Sequence, residues 1–538
     1  MKSLSRSIRS LALAAATLLL PAMLASCQWM KEDFDDEIAD SSAARYINIT
    51  VSVSASNEAV TRATPQGGET GDGLVKGNDR ENKVNNITLI FYEDNAGINT
   101  TNTGTKVAFF ATYPVTEVDN YQGTHEHNLD NDNIGWTGTY QESDDNEVIY
   151  STGDQLLEES TIDVTKTYHA IVVANAPTSL LASIKVNETS IADVRDMVVS
   201  AVYDGNGVGT NASNFVMSSE RDATVTFTNR KTDAEKNTIT YYFECIHIER
   251  LAARIDFWAK TKDPDDLTYK AVEYVDESGN GIPAGYRYNV GKKNKHGRND
   301  IFVLTRITPF NLMAGDEYLL KRTNDANPYL AKETTANWVL DPYSAQSNGK
   351  NSTTSHPNYL ASTLTSVTNT FANAYTVTLS SCQTLSTTEE EGGKFSVTEN
   401  GVTADNIILN YPKENTLRGN VSPLYYYATG LAFEGYYFKA SGNSNEYHSQ
   451  GNGEPRVFYH YLRHQGEQDV AYRALTNETL STETLCSAET AMNCGIVRNN
   501  IYRVSIESIN ADETEELYVK LLIKVKKWDK FVHTPIIM

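Results

Sequence analysis

Apolar and polar residues alternate with period two along much of the chain, the spacing of strands that bury one face. Near the front, "YINITVSV" sets Ile47, Ile49, Val51 and Val53 against Tyr46, Asn48, Thr50 and Ser52. At the far end, "LYVKLLIKVKKW" sets Leu517, Val519, Leu521, Ile523 and Val525 against Tyr518, Lys520, Lys524 and Lys526, with Leu522 as the exception. Between them, strands are expected at 85–93, 167–176, 214–219, 223–227, 238–249, 253–260, 300–308, 375–381, 422–430, 455–464 and 499–509. Many short strands parted by Gly- and Asn-rich spacers predict an all-β fold of sandwiches rather than alternating α/β units. One stretch departs from this period. "SIADVRDMVVSAV", from Ser190, places Ile191, Val194, Val198 and Ala201 at helical spacing, with Ser190 and Asp193 as a capping-box start, so a single amphipathic helix is expected against a sheet.

A chain of 538 residues has room for roughly two to four domains. Apolar residues make up 40% and charged residues only 21%, with 31 tyrosines. That balance suits a secreted β-protein better than a helical cytosolic enzyme. The net charge of -23 argues against a nucleic-acid partner, whose phosphates reward Lys and Arg; solubility outside the cell is the simpler meaning of such acidity.

The first 27 residues read as an export signal: Lys2, Arg6 and Arg9, an apolar run from Leu11 to Leu24, then "LASC". The run is shorter than the roughly 20 residues a membrane-spanning helix needs. An apolar residue, two small ones and a cysteine form a lipobox, in which Cys27 is acylated and becomes the new N-terminus; an ordinary signal peptide with an incidental cysteine is the alternative. The acidic "KEDFDDEIAD" that follows is a tether with nothing to bury. Cys245, Cys382, Cys486 and Cys494 are too few for a disulfide framework. Whether Cys486 and Cys494 pair stays open, and no zinc spacing occurs.

Candidate chemistry is sparse. "HEH" at 125–127 lacks further metal ligands, and "LDNDNIG" at 129–135 lacks the glycine and closing glutamate of a calcium loop. "GNGVG" at 205–209 is not set between a strand and a helix as a phosphate cradle is, and "KKNKHGR" at 292–298 reads as a solvated hairpin tip. No nucleophile elbow or catalytic triad is visible. The aromatic clusters at 425–429, 435–438 and 458–461 suit core and cross-strand packing better than a glycan platform. No enzyme activity, cofactor or metal is expected.

In order along the chain stand the lipobox at Cys27, Arg62 followed by Ala63, the strand at 87–92, "AIVVANA" at 170–176, "SIADVRDM", "FVMSS" at 215–219, "RLAARIDF" at 250–257, "RNNIYRVSI" at 498–506 and a terminal strand ending in Trp528. In this order and spacing the chain resembles the major subunits of the type V fimbriae of Bacteroidales, most of all the Mfa-type short-fimbria subunits; the stretch 262–420 has no counterpart. The resemblance implies two transthyretin-like β-sandwich domains with a minor helix in the first: signal 1–27, tether and propeptide strand 28–62, N-terminal domain 63–249 and C-terminal domain 250–538. It implies a precursor anchored to outer-membrane lipid through Cys27 and cut by an arginine-specific surface protease between Arg62 and Ala63. The strand bearing Ile47, Ile49, Val51 and Val53 is thereby displaced. The strand bearing Leu517, Val519, Leu521, Ile523 and Val525 of another identical subunit then fills the groove, giving a head-to-tail filament at the cell surface with anchor and tip subunits at its ends. Arg45 competes with Arg62 as a cut site, but cutting there would leave the groove closed. A tip or accessory adhesin of the same system and a surface glycan-binding lipoprotein are the alternative functions.

Overall fold

The computed structural model describes residues 43–53, 74–118, 149–260, 285–322, 339–345, 377–378, 394–416, 428–462, 471–472 and 495–529, apart from short breaks within these ranges. Cys27, Arg62, Ala63, Cys245, Cys382, Cys486, Cys494, the "HEH" loop and Tyr425 to Tyr427 lie outside the described residues.

Strands form at most of the expected places, and the fold is all-β, but strands also form at Phe109–Pro114, Ile149–Ser151, Gln155–Leu157, Tyr286–Lys293, Val402–Asn410 and Gly430–Ala440, where the sequence reading placed none. The first half builds two sheets around one core. The larger runs in the order Phe109–Pro114, Asn86–Glu93, Tyr168–Ala174, Met217–Ser219, Ile246–Arg250, β2 (Thr50–Ser52), Ile149–Ser151 and Thr116–Val118. The smaller runs Arg230–Asp233, Thr238–Tyr242, β1 (Ala44–Asn48) and Gln155–Leu157. Ile47, Leu157 and Tyr241 of the smaller sheet share a core with Leu89, Val172 and Ile246 of the larger. Sheets meeting through alternate side chains in this way make a β-sandwich.

The second half builds a curled sheet in the order Lys394–Glu399, Val402–Asn410, Arg254–Trp258, Asn500–Ala511, Tyr286–Lys293, Asn299–Phe310, Gly430–Ala440 and Tyr447–Ser449. Asn500–Ala511 changes neighbours midway: Ile501 to Val504 pair with Arg254 to Phe257, and Ile509 with Val290. The sheet can therefore wrap a core that includes Phe257, Phe302, Phe433, Tyr502 and Leu521.

Two departures from sequence expectation have physical causes. The strand expected at 238–249 is two, Thr238–Tyr242 and Ile246–Arg250, in different sheets, because a chain crossing a sandwich must interrupt its ladder. The helix starting at Ser190 keeps its capping box but spans only Ile191–Arg195. Val198 and Val199 pair instead with Tyr318 and Glu317, as two β-branched residues favour. Of the strand expected at 422–430, residues 422–427 lie outside the described residues.

The two halves meet through buried charge. The short helix Asp79–Asn82 opens with a reciprocal capping box between Asn78 and Glu81. The fully buried Glu81 carboxylate accepts two hydrogen bonds from Arg254, at 2.9 and 3.1 Å, and one from the Tyr411 hydroxyl. Arg254 also donates to both oxygens of Asp256, at 2.9 and 2.8 Å. Burial opposes the Arg254 charge, and Asp256 and Glu81 more than offset it. Arg250 donates to the Glu81 carbonyl at 2.9 Å, to Asn82 and to Asn499. Nearby, Arg498 reaches Glu414 at 2.7 Å and Glu317 at 3.6 Å. Burial, with the neighbouring Glu414 charge, outweighs Arg498 and pushes the Glu317 carboxyl up to about 8.

Arg254→Ala should cost about 3–5 kcal/mol in denaturant unfolding, since it strands Glu81 as a buried charge and leaves Asp256 with the more distant Arg503, at 3.7 Å, as its charged partner. The raised Glu317 pKa makes its contribution to stability complete below the carboxylate's ordinary value near 4.5 and progressively lost as pH rises toward 8. Glu317→Gln should therefore flatten the fall in stability across that window, read by unfolding midpoints at several pH values.

Candidate functional site

The front segment is an internal strand. β1 runs parallel to Thr238–Tyr242, from Ala44 opposite Thr238 to Asn48 opposite Tyr242, and antiparallel to Gln155–Leu157 on its other edge. β2 runs parallel to Ile246–Arg250 and antiparallel to Ile149–Ser151. Two stretches of chain, 149–157 and 238–250, thus form the walls of a seat that crosses from one sheet to the other. Asn48 and Ile49 mark the crossing.

Polar partners fix that corner. The Ile49 amide donates to the Thr152 hydroxyl and the Thr152 amide to the Ile49 carbonyl, both at 3.0 Å. Asn48, 3% exposed, donates to Asp154 at 3.1 Å and accepts from the Ser151 hydroxyl at 2.9 Å. Alternation alone assigns Asn48 to the polar, outward face. Its burial follows from the chain changing sheets beside it, which local period does not encode.

Ile47, Ile49, Val51 and Val53 are all at 0% exposure. Burying four such side chains contributes roughly 6–12 kcal/mol gross at about 1.5–3 each. With the segment gone, 149–157 and 238–250 would face each other across an apolar trough with unpaired edges, a template for another strand. Arg45 is held within the ladder, opposite Ile239 and Leu157. A protease needs a strand it can draw out as extended chain, and Arg45 is already paired on both edges.

The terminal strand, Leu517–Asp529, folds back on Asn500–Ala511 as an antiparallel pair, from Leu517 opposite Ala511 to Lys527 opposite Asn500. Leu517, Val519, Leu521 and Ile523 are buried in the second core; the backbone of Val525 pairs with Tyr502. The register shifts between Ile506 and Ser508, where Lys520 meets Glu507 at 3.2 Å. On its outer edge, Val519 and Lys520 pair with Tyr472 and Ala471. Further along, β3 (Leu74–Lys76) pairs with Lys527 to Asp529. Sequence reading singled out neither β3 nor the helix after it, although Asn78 and Glu81 at capping-box spacing are a readable helix start.

Among the described residues, no group of three or more His, Cys, Asp or Glu side chains is placed to hold a metal ion, and no helix is long and apolar enough to cross a membrane. The arrangement sets side by side one seated strand that lines a groove and one terminal strand of matching alternation. A protein beginning at Ala63 should unfold at a markedly lower temperature than one beginning at residue 28. A peptide of residues 45–53, added in excess, should restore part of the difference through binding linkage.

No family model matches the chain, and no curated protein matches it. Several solved structures are similar to it. A candidate cell adhesion protein from Parabacteroides distasonis is 13% identical with a TM-score of 0.38, over 90% of this chain and 99% of its own. The C-terminally truncated tip fimbrial protein Mfa3 from Porphyromonas gingivalis is 10% identical with a TM-score of 0.37, over 90% of this chain and 100% of its own. A fimbrilin from Porphyromonas gingivalis is 12% identical with a TM-score of 0.35, over 90% and 98%.

Proposed function

We propose that this chain is a structural, non-enzymatic subunit of a cell-surface fimbrium, of the type V kind its motifs resemble. It is exported as a lipoprotein through Cys27, cut after Arg62 by an arginine-specific protease and polymerised by donor-strand exchange. One observation carries the reading: β1 and β2 are paired on both edges and bury four alternating side chains, yet they are followed by a segment containing Arg62. A cut there leaves the front strand held only by non-covalent contacts.

The terminal strand of another subunit supplies the replacement. Leu517, Val519, Leu521, Ile523 and Val525 repeat the period of Ile47, Ile49, Val51 and Val53. Leaving its own domain unburies Leu517, Val519, Leu521 and Ile523, and entering the groove buries them again. The two terms cancel to first order, and refilling the opened first sandwich is the net drive. Each subunit gives one strand and receives one at a different place, a heterologous contact that propagates instead of closing. Anchor and tip subunits end the filament, and the precursor is held at the outer membrane by the Cys27 lipid.

Digestion with an arginine-specific protease should produce a new N-terminus at Ala63 and filaments in electron micrographs. Cut protein that stays monomeric would sink the stalk role. Ser505 and Leu522 lie opposite each other, so a Ser505→Cys/Leu522→Cys disulfide should leave cleavage intact and block filaments until reductant is added. Filaments from the oxidised variant would place the donor strand elsewhere.

A further inference from the structure

The outer edge of the terminal strand carries a piece of chain from the opposite end of the sequence. β3 pairs with it in parallel, Leu74 opposite Lys527, Val75 opposite Trp528 and Lys76 opposite Asp529. Immediately after β3, the chain enters the helix Asp79–Asn82. That helix is pinned by Arg254 and Tyr411 on the buried Glu81 carboxylate and by Arg250 on its carbonyl. On its other side, β3 is joined through residues 54–73 to Val53, which is at 0% exposure beside β2. Those connecting residues contain Arg62. β3 is therefore a three-residue grip held between two anchors.

We propose that the outer edge of the terminal strand is a binding site for residues 74–76, and that this intramolecular clasp holds the strand to its own subunit until the chain is cut at Arg62. Three parallel pairs are too few to persist unaided. Their occupancy depends on the local concentration that the two anchors impose. Hydrolysis adds water across the Arg62–Ala63 bond, leaving a carboxylate on Arg62 and an α-ammonium on Ala63, and it removes the anchor on the β2 side. The helix anchor remains, so β3 is loosened rather than lost. A single cut then acts at two places: it frees β1 and β2 from the groove, and it weakens the cover on the strand that will enter a neighbour's groove. Before the cut, the covered edge is also closed to strand pairing with other chains.

The coupling to cleavage rests on the fimbrial reading above, whereas the clasp itself does not, and hydrogen exchange separates them. In uncut protein beginning at residue 28, Val75→Pro, and separately Leu74→Pro because alternate amides face the partner, removes a ladder donor. Amides at 527–529 should then exchange about tenfold faster or more, the equivalent of one net hydrogen bond, while Gly430–Ala440 stays unchanged. Unchanged exchange at 527–529 in both variants overturns the clasp. Wild-type protein cut at Arg62 should show a smaller acceleration in the same direction; if it exchanges at the uncut rate, the coupling to cleavage is overturned. Cut protein that exchanges faster yet forms no filaments upholds the clasp and overturns the fimbrial reading.

Discussion

β1 and β2 close the first sandwich by filling a seat whose two walls come from far along the chain. Residues 149–157 line one side and 238–250 the other, and both walls change sheet where the seated segment does. Backbone groups on both edges find partners, and the apolar face of the segment completes a core that includes Ile87, Leu89 and Val172. A strand in such a position cannot be shed piecemeal. Loss of the corner at Asn48 and Ile49 frees polar groups of Ser151, Thr152 and Asp154 together with the ladder.

The junction between the halves is built on the opposite principle. Glu81, Arg254 and Asp256 are buried charges that satisfy one another, with Arg250, Tyr411 and Asn499 around them. Such clusters contribute little net stability relative to an apolar packing of similar volume, but they accept only one geometry, because each misplaced group is an unpaired buried charge. The junction therefore holds the two halves in one arrangement. It also places β3, through the helix that follows it, against the terminal strand.

Much of this was legible before any fold was known. The alternation at Ile47 to Val53 and at Leu517 to Ile523 marks side chains that are buried, since a period of two is a property of the extended backbone itself. The capping box at Ser190 and Asp193 marks a helix start for the same local reason. The end of that helix was not legible, because Val198 and Val199 are drawn into pairing with Tyr318 and Glu317, more than a hundred residues away. The arginines of "RLAARIDF" stand out in sequence only as a motif. Apart from Asp256 within the motif itself, their partners come from residues 81, 82 and 499, far away in the chain.

Sequence by itself determined the apolar faces of the front and terminal strands, the all-β class and the presence of an arginine between the front strand and the rest of the chain, because these depend on residue order over a few positions. Tertiary structure alone decided that the front segment splits between two sheets, that Asn48 is buried at the split, that the terminal strand is seated in its own domain and that residues 74–76 cover its edge. Each of these is a pairing between segments far apart in the chain, and the choice of partner is set by which edges and cores remain open once the other strands have packed.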